Sequence, residues 1–301
     1  MTSSNSKLVG EYAEIRQMMH GFGDHAEPLV ETAKLVDEVV NQQMRSMLRK
    51  ACEVAATRES SMVGMEDFLF LLRKDKVKLH RMLNYLKIKE FKAKMSSTLD
   101  GESPLTSPNP LQLDLNHKAP YMKFLKSIDN TGQLLNAENV VDYTKQKRIE
   151  RIDRMTQDMD RWKYLEFSRA RCATFSLKKS NKFNKFNEWI AASGDMPLHK
   201  SAYTALSYLA YETIGQIVDL AFLVRRDQNK INGDPIDRLR TSYPNPYTYK
   251  PYQYHKAISI KPLTPAEVQE ALRRYWSPQL EMTGPFQRWT YTKPELKLLT
   301  C

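Results

Sequence analysis

Apolar residues recur at helical spacing in two separated stretches of this chain, and both stretches have the same form: a short run, a long run, a short run. In the front stretch, Ile15, Met18, Met19 and Phe22 lie on one side of a predicted helix over residues 13–22, which Gly23 and Asp24 end. A long run follows, with Leu29, Ala33, Val36, Val40, Met44, Met47, Ala51 and Val54 spaced by three or four, the mark of one apolar helix face. Residues 57–64 read as a loop and 65–72 as a second short helix. In the back stretch, Phe183, Phe186, Trp189 and Ile190 mark the short helix. Tyr203, Leu206, Ala210, Ile214, Ile217, Ala221 and Val224 mark the long one, and Val268, Ala271, Leu272 and Tyr275 the last.

A helix of about 28 residues is roughly 42 Å long, more than two short flanking helices can cover. Six of the eight front stripe residues are larger than alanine. Leaving them in water forfeits roughly 9 to 18 kcal/mol at about 1.5 to 3 each, comparable with a domain's whole stability. Each half therefore needs a partner of its own geometry, and the chain carries one. The expected pairing surface is Leu29, Val36, Val40, Met44 and Met47 against Leu206, Ala210, Ile214, Ile217 and Val224.

Between the two stretches, residues 76–91 read as a further helix with Leu79, Met82, Leu83, Leu86 and Phe91 apolar and lysines elsewhere. Residues 95–120 are rich in Ser, Thr, Pro and Asn and read as a linker. An apolar island at 121–135 interrupts it. Residues 144–167 read as one charged helix with a narrow stripe of Ile149, Ile152, Met155, Met159 and Trp162; so polar a helix bridges parts of a structure or borrows a groove. Thr264, Pro265 and Glu267 form a capping box with proline at the first helical position. An insertion at 231–262 holds Tyr243, Tyr247, Tyr249, Tyr252 and Tyr254 among prolines. The expected class is all-α, divided as 1–95, 96–143 (linker with island), 144–178 (charged bridging helix) and 179–301.

Composition narrows the function. A hydrophobic share of 41% and a charged share of 27% in 301 residues suit a globular chain. No run approaches the roughly 18 apolar residues of a membrane span, and the polar start lacks the core of a signal peptide. Three distant cysteines, Cys52, Cys172 and Cys301, read as reduced thiols. The net charge of +11 is local: acids exceed bases eleven to seven over residues 1–72, whereas bases exceed acids nine to two over 73–94 and twelve to five over 145–182. No cofactor, metal, small-molecule substrate or catalytic constellation is expected: the six histidines are scattered without ligand spacing, and no phosphate-cradling glycine loop or nucleophile elbow occurs. An acid–base hydrolase would need converging carboxylates within reach of one substrate, and none converge in the sequence.

A long helix between two short ones, paired head to tail, resembles a histone-fold pair. Residues Glu66, Asp67, Phe68, Leu69, Phe70, Leu71, Leu72, Arg73, Lys74 and Asp75 resemble the E-D-L-L-F-L-x-R-K-D stretch of the suppressor-of-Ty-three transcription factors, the histone-fold subunits of the SAGA coactivator. Leu209 to Thr213 with Val218 to Ala221 resemble that family's second long helix. Ser127, Ile128, Asp129, Thr131, Gly132, Leu134 and Leu135 resemble its central segment, and Glu270, Ala271, Arg273, Arg274 and Tyr275 its final helix. The resemblance implies two histone folds paired within one chain, in a nuclear, non-enzymatic subunit. It also implies that the subunit binds the TATA-binding protein, helps deliver it to RNA polymerase II promoters, and contacts other SAGA subunits, histone-fold subunits among them.

Three features stand beside that resemblance. Arg58 and Asp67 are candidates for the ion pair that ties the second loop of a histone fold to its last helix; otherwise Arg58 is solvated and Asp67 favours the first helical turn. In the back stretch Glu267 takes the matching place, without an identified arginine. Arg73, Lys74, Lys76, Lys78 and Arg81 are candidate partner contacts; a solvated face, an acidic membrane or a regulatory protein are the alternatives. The run Lys145, Gln146, Lys147, Arg148 is a candidate import signal. The competing function is direct DNA binding by the histone-like pair, with arginines in the minor groove. Residues 21–28 and 193–199 carry no lysine or arginine, so such binding is expected to be weak or absent.

Overall fold

The computed structural model describes residues 12–99, 120–136, 140–157, 159–175, 196–231, 261–277 and 297–300. The expected helix at 183–190 and the tyrosines of the insertion lie outside them. Within them the chain is helical: α1 (Ala13–Gly21), α2 (Val30–Thr57), α3 (Met65–Leu72), α4 (Lys76–Leu99), α5 (Pro120–Ile128), α6 (Tyr143–Thr156), α7 (Arg161–Arg171), α8 (Lys200–Ile231) and α9 (Pro265–Trp276). No strand forms among the described residues; one isolated parallel bridge joins Val63 and Leu198. None of the described helices is long and apolar enough to cross a membrane.

Two compact units share the chain, and each draws on both ends of it. The first comprises Met1–Met44, Tyr143–Ile190 and Leu209–Leu299; the second comprises Arg45–Asp142, Ala191–Tyr208 and Thr300–Cys301. In the first unit the front stripe of Ala33, Val36, Val40 and Met44 is buried, as is the back stripe of Ala210, Ile214, Ile217, Ala221 and Val224. Helix α1 packs against α7. A Cβ on Gly21 would stand 2.8 Å from the Ala170 carbonyl oxygen, so only glycine permits this approach. His20 sets its ring edge on Phe167, 5.2 Å between centroids. Gly23 turns the chain toward α2 with φ at 106°, a region that glycine alone enters without strain.

In the second unit Met47, Ala51, Ala55, Leu69, Leu72, Leu125 and Leu206 are buried. Helix α3 packs on α5. The chain after α5 folds over Asp129, whose Oδ2 accepts the backbone N–H groups of Leu134 and Leu135 at 3.0 Å. Tyr85 of α4 stacks on Tyr208 with ring centroids 4.6 Å apart.

Four expectations need correction. Leu29 precedes α2 rather than belonging to it, and it is 37% exposed; the loop pinned by the Arg16 Nε to Pro28 carbonyl bond carries it off the stripe. The charged stretch is two helices, because Asp160 takes an extended conformation at the start of α7. Its expected apolar stripe does not form a buried face: Ile149 is 48% and Trp162 80% exposed. Finally, α4 continues to Leu99, well into the expected linker.

Candidate functional site

Each unit contains one loop clasp, built from the residue that precedes a capped short helix. In the second unit this residue is Val63. Its N–H donates to the Pro197 carbonyl at 3.0 Å, and its own carbonyl accepts the His199 N–H at 2.9 Å. The front loop after α2 is thus held by the segment that leads into α8. In the first unit the residue is Leu263. Its N–H donates to Asp24 Oδ1 at 2.9 Å, and its carbonyl accepts the Thr32 hydroxyl at 2.8 Å. Backbone groups close the first clasp and side chains the second. Buried backbone polar groups must be paired, so both solutions fix the loops firmly.

An ion pair stands behind each clasp. Asp67, fully buried, receives Arg58 through two bonds, Nε to Oδ1 at 3.2 Å and Nη2 to Oδ2 at 3.0 Å. The same Oδ2 accepts the Gly64 N–H at 2.7 Å, capping α3. In the first unit Glu267 receives Arg225, Nε to Oε1 at 2.6 Å and Nη2 to Oε2 at 2.7 Å. It also accepts the Thr264 N–H at 2.8 Å, capping α9. Arg225 further donates to the carbonyls of Lys261 and Pro262. Burial pushes the Glu267 carboxyl up, but Arg225 and Thr264 together outweigh it and hold the group below its ordinary value. Arg225 is the arginine the sequence left unidentified; it lies in α8, before the insertion rather than after it.

Asp24 gains a role that its sequence context did not give. It is fully buried, and its Oδ1 accepts both the His25 and the Leu263 N–H. Oδ2 has no hydrogen-bond partner. Desolvation dominates over those bonds and over Arg225, so the carboxyl is raised. Arg148 was likewise missed. It is buried in the first unit, where Nε meets Asp219 Oδ2 at 2.6 Å and Nη1 meets Glu212 Oε2 at 3.0 Å. Arg151 joins it at Asp219 Oδ1, 2.5 Å away. Burial opposes the Arg148 charge, and the two carboxylates overcome it to raise the group further above its ordinary value. Arg148 is therefore not presented to an import receptor, whereas Lys145 and Lys147 of the same run are exposed. A signal was available: Glu212 and Asp219 are the only charged residues between 201 and 224, seven apart on one helix face.

Among the residues expected to pair, Val36, Val40, Met44, Met47, Leu206, Ala210, Ile214, Ile217 and Val224 are all buried. The partner-contact candidates divide. Arg73 lies over the Phe70 ring, 3.6 Å from its centroid, and donates to the Phe70 carbonyl. Lys78 meets Asp75 at 3.2 Å, and Arg81 is bonded to Asp142 through Nε and Nη2. Lys74 and Lys76 stay exposed. Among the described residues no group of histidine, cysteine and acidic side chains is arranged to hold a metal ion.

Each unit thus joins a loop clasp to a buried ion pair at the start of a capped short helix. Residues 11–101 match the family model described as transcription initiation factor IID, 18kD subunit. The SAGA complex subunit Spt3 of Drosophila melanogaster is 28% identical over 89% of this chain and 67% of that protein. Its namesake from Saccharomyces cerevisiae is 22% identical over 86% of this chain and 89% of that protein. Transcription initiation factor TFIID subunit 13 of Dictyostelium discoideum is 37% identical over 29% of this chain and 80% of that protein. The chain is thus similar over most of its length to Spt3 subunits of SAGA, and its residues 11–101 match the histone-fold family of the TFIID 18kD subunit.

Proposed function

We propose that this chain is a nuclear, non-enzymatic SAGA subunit in which two histone folds pair with each other and present a surface to the TATA-binding protein. The observation that carries the reading is the pair of loop clasps. Val63 is held by Pro197 and His199, and Leu263 by Asp24 and Thr32. Contacts of the segment before one long helix with the loop after the other, and of Thr32 near the start of α2 with the residue before α9, support a pairing of the histone type within one chain. The TFIID 18kD subunit model matches residues 11–101, whereas the Spt3 relatives cover 86 to 89% of the chain. That difference supports one chain that supplies both folds. The names of these relatives are those of transcription subunits, none of them an enzyme, which supports an adaptor role. Delivery of the TATA-binding protein to RNA polymerase II promoters, and contact with other SAGA subunits, follow from the family resemblance.

Direct DNA binding has weaker support. The loop at 21–28 has no basic residue, Asp24 within it is buried, and Arg58 of the other front loop is committed to Asp67. The exposed Lys74 and Lys76 offer the test. Reversal of both (Lys74→Glu, Lys76→Glu) spares the bonded Lys78 and Arg81, and Glu at position 76 suits the first turn of α4. Binding to purified TATA-binding protein is expected to weaken roughly tenfold. Unchanged affinity removes these lysines from the contact. If the unaltered chain binds promoter DNA but not the TATA-binding protein, the adaptor reading gives way to the DNA one.

A further inference from the structure

The first half of α4 is engaged inside the second unit, but its second half has two unlike faces. Leu79, Met82, Leu83 and Leu86 are buried on the inner face. Lys89 donates to the Thr204 hydroxyl at 2.9 Å, and Glu90 accepts the Tyr121 hydroxyl at 2.7 Å. On the opposite face Ile88, Phe91 and Met95 follow at spacings of three and four, exposed by 55%, 37% and 55%. Their spacing places them in one stripe over two turns. Exposed Lys87 and Lys92 border that stripe. Glu90, the acid nearest to it in sequence, is occupied by Tyr121.

We infer that this outer face of α4, formed by Ile88, Phe91 and Met95 between Lys87 and Lys92, docks an acidic amphipathic helix of another protein. The inference goes beyond the adaptor reading, because it concerns a different surface from that of Lys74 and Lys76. Two-turn apolar stripes are read by helical partners through anchors at matching intervals. The bordering lysines select the partner's charge: carboxylates beside its apolar face gain attraction here, and a basic partner is repelled. The same repulsion disfavours a second copy of this stripe. Three apolar side chains bury too little to hold a membrane surface strongly, since stable anchoring requires more than one weak signal.

The test uses the full chain and a short designed amphipathic helix with leucines on one face and glutamates beside them. A second peptide carries lysines in place of the glutamates. The acidic peptide is expected to bind, the basic one at least tenfold more weakly, and hydrogen exchange should slow over residues 84–95. Ile88→Gln with Met95→Gln should weaken the acidic peptide roughly tenfold. Lys87→Glu with Lys92→Glu should invert the preference, which a merely destabilised helix would not do. Equal binding of both peptides, or acidic-peptide binding that these substitutions leave unchanged, overturns the proposal. So does binding that appears only after removal of residues 100–119, which would mean that the chain covers the stripe itself. Adsorption to phosphatidylserine vesicles without binding of the acidic peptide would also overturn it.

Discussion

Gly215 shows how a single position can reverse an ordinary preference. In the interior of a helix, alanine is favoured over glycine by about 1 kcal/mol. Here a Cβ would lie 2.6 Å from Phe22 Cε1 and 2.8 Å from Arg148 Nη2. Overpacking of this kind costs about 1 to 3 kcal/mol, which exceeds the propensity gain. Gly215→Ala is therefore expected to lower the Tm, while alanine at an exposed helical position of α8 does not. Two buried acids respond to pH with opposite signs. Asp24 has a raised folded value, so its contribution is complete below its ordinary value of 3.8 and is lost as pH rises through the folded one. Asp24→Asn keeps an oxygen for His25 and Leu263 and removes the buried charge, so stability at neutral pH should hold or rise. Glu267 has a depressed value, and its contribution is present above 4.5 and lost as pH falls through the folded value. Glu267→Gln should therefore cost about 3 kcal/mol at neutral pH, by analogy with breaking a buried pair, and progressively less in acid. Urea midpoints measured across the acid to neutral range check both.

At the scale of elements, α6 is the clearest case of a helix held by charge. Its apolar residues did not make the buried face; Arg148 and Arg151 did, through Glu212 and Asp219 of α8. Phe22 and Phe222 lie under the two guanidiniums, at 5.0 and 4.8 Å. Removing both arginines strands two partly buried carboxylates, at a cost of about 3 to 5 kcal/mol. The variant Arg148→Ala with Arg151→Ala should release α6, read as fast hydrogen exchange over 143–156 with α2 still protected. Arg148→Lys should not rescue it, because one ammonium cannot reproduce a fork that reaches two acids. Protection of α6 in the double variant would show that apolar contacts hold it after all. Helical period did not reveal the buried face of α6, because that face is selected by the acids opposite it and not by its own hydrophobicity. It succeeded at α2, α3 and α9, where uninterrupted stripes and a capping box act over a few residues.

For the whole molecule, the joining of front and back segments bears on assembly. A tether holds paired folds at an effective concentration of about millimolar, so the proposed pairing should persist on dilution. Sedimentation of the isolated chain is expected to give a monomer at all concentrations; an obligate dimer would mean that the folds pair between chains. What the sequence determined was local. The positions of the long helices, the burial of Val36, Val40, Met44, Ile214 and Ile217, and the cap of α9 all depend on neighbours a few residues away, and helical period reports such neighbours directly. The tertiary structure decided which distant groups meet. Thr32 and Leu263 are 231 residues apart, and Asp24 and Leu263 are 239 apart. The same holds for Arg225 at Glu267 and for the burial of Arg148. Such partnerships rest on geometry that packing creates: a buried donor or charge takes whichever partner the folded chain brings within reach, and no periodicity along the chain encodes that choice.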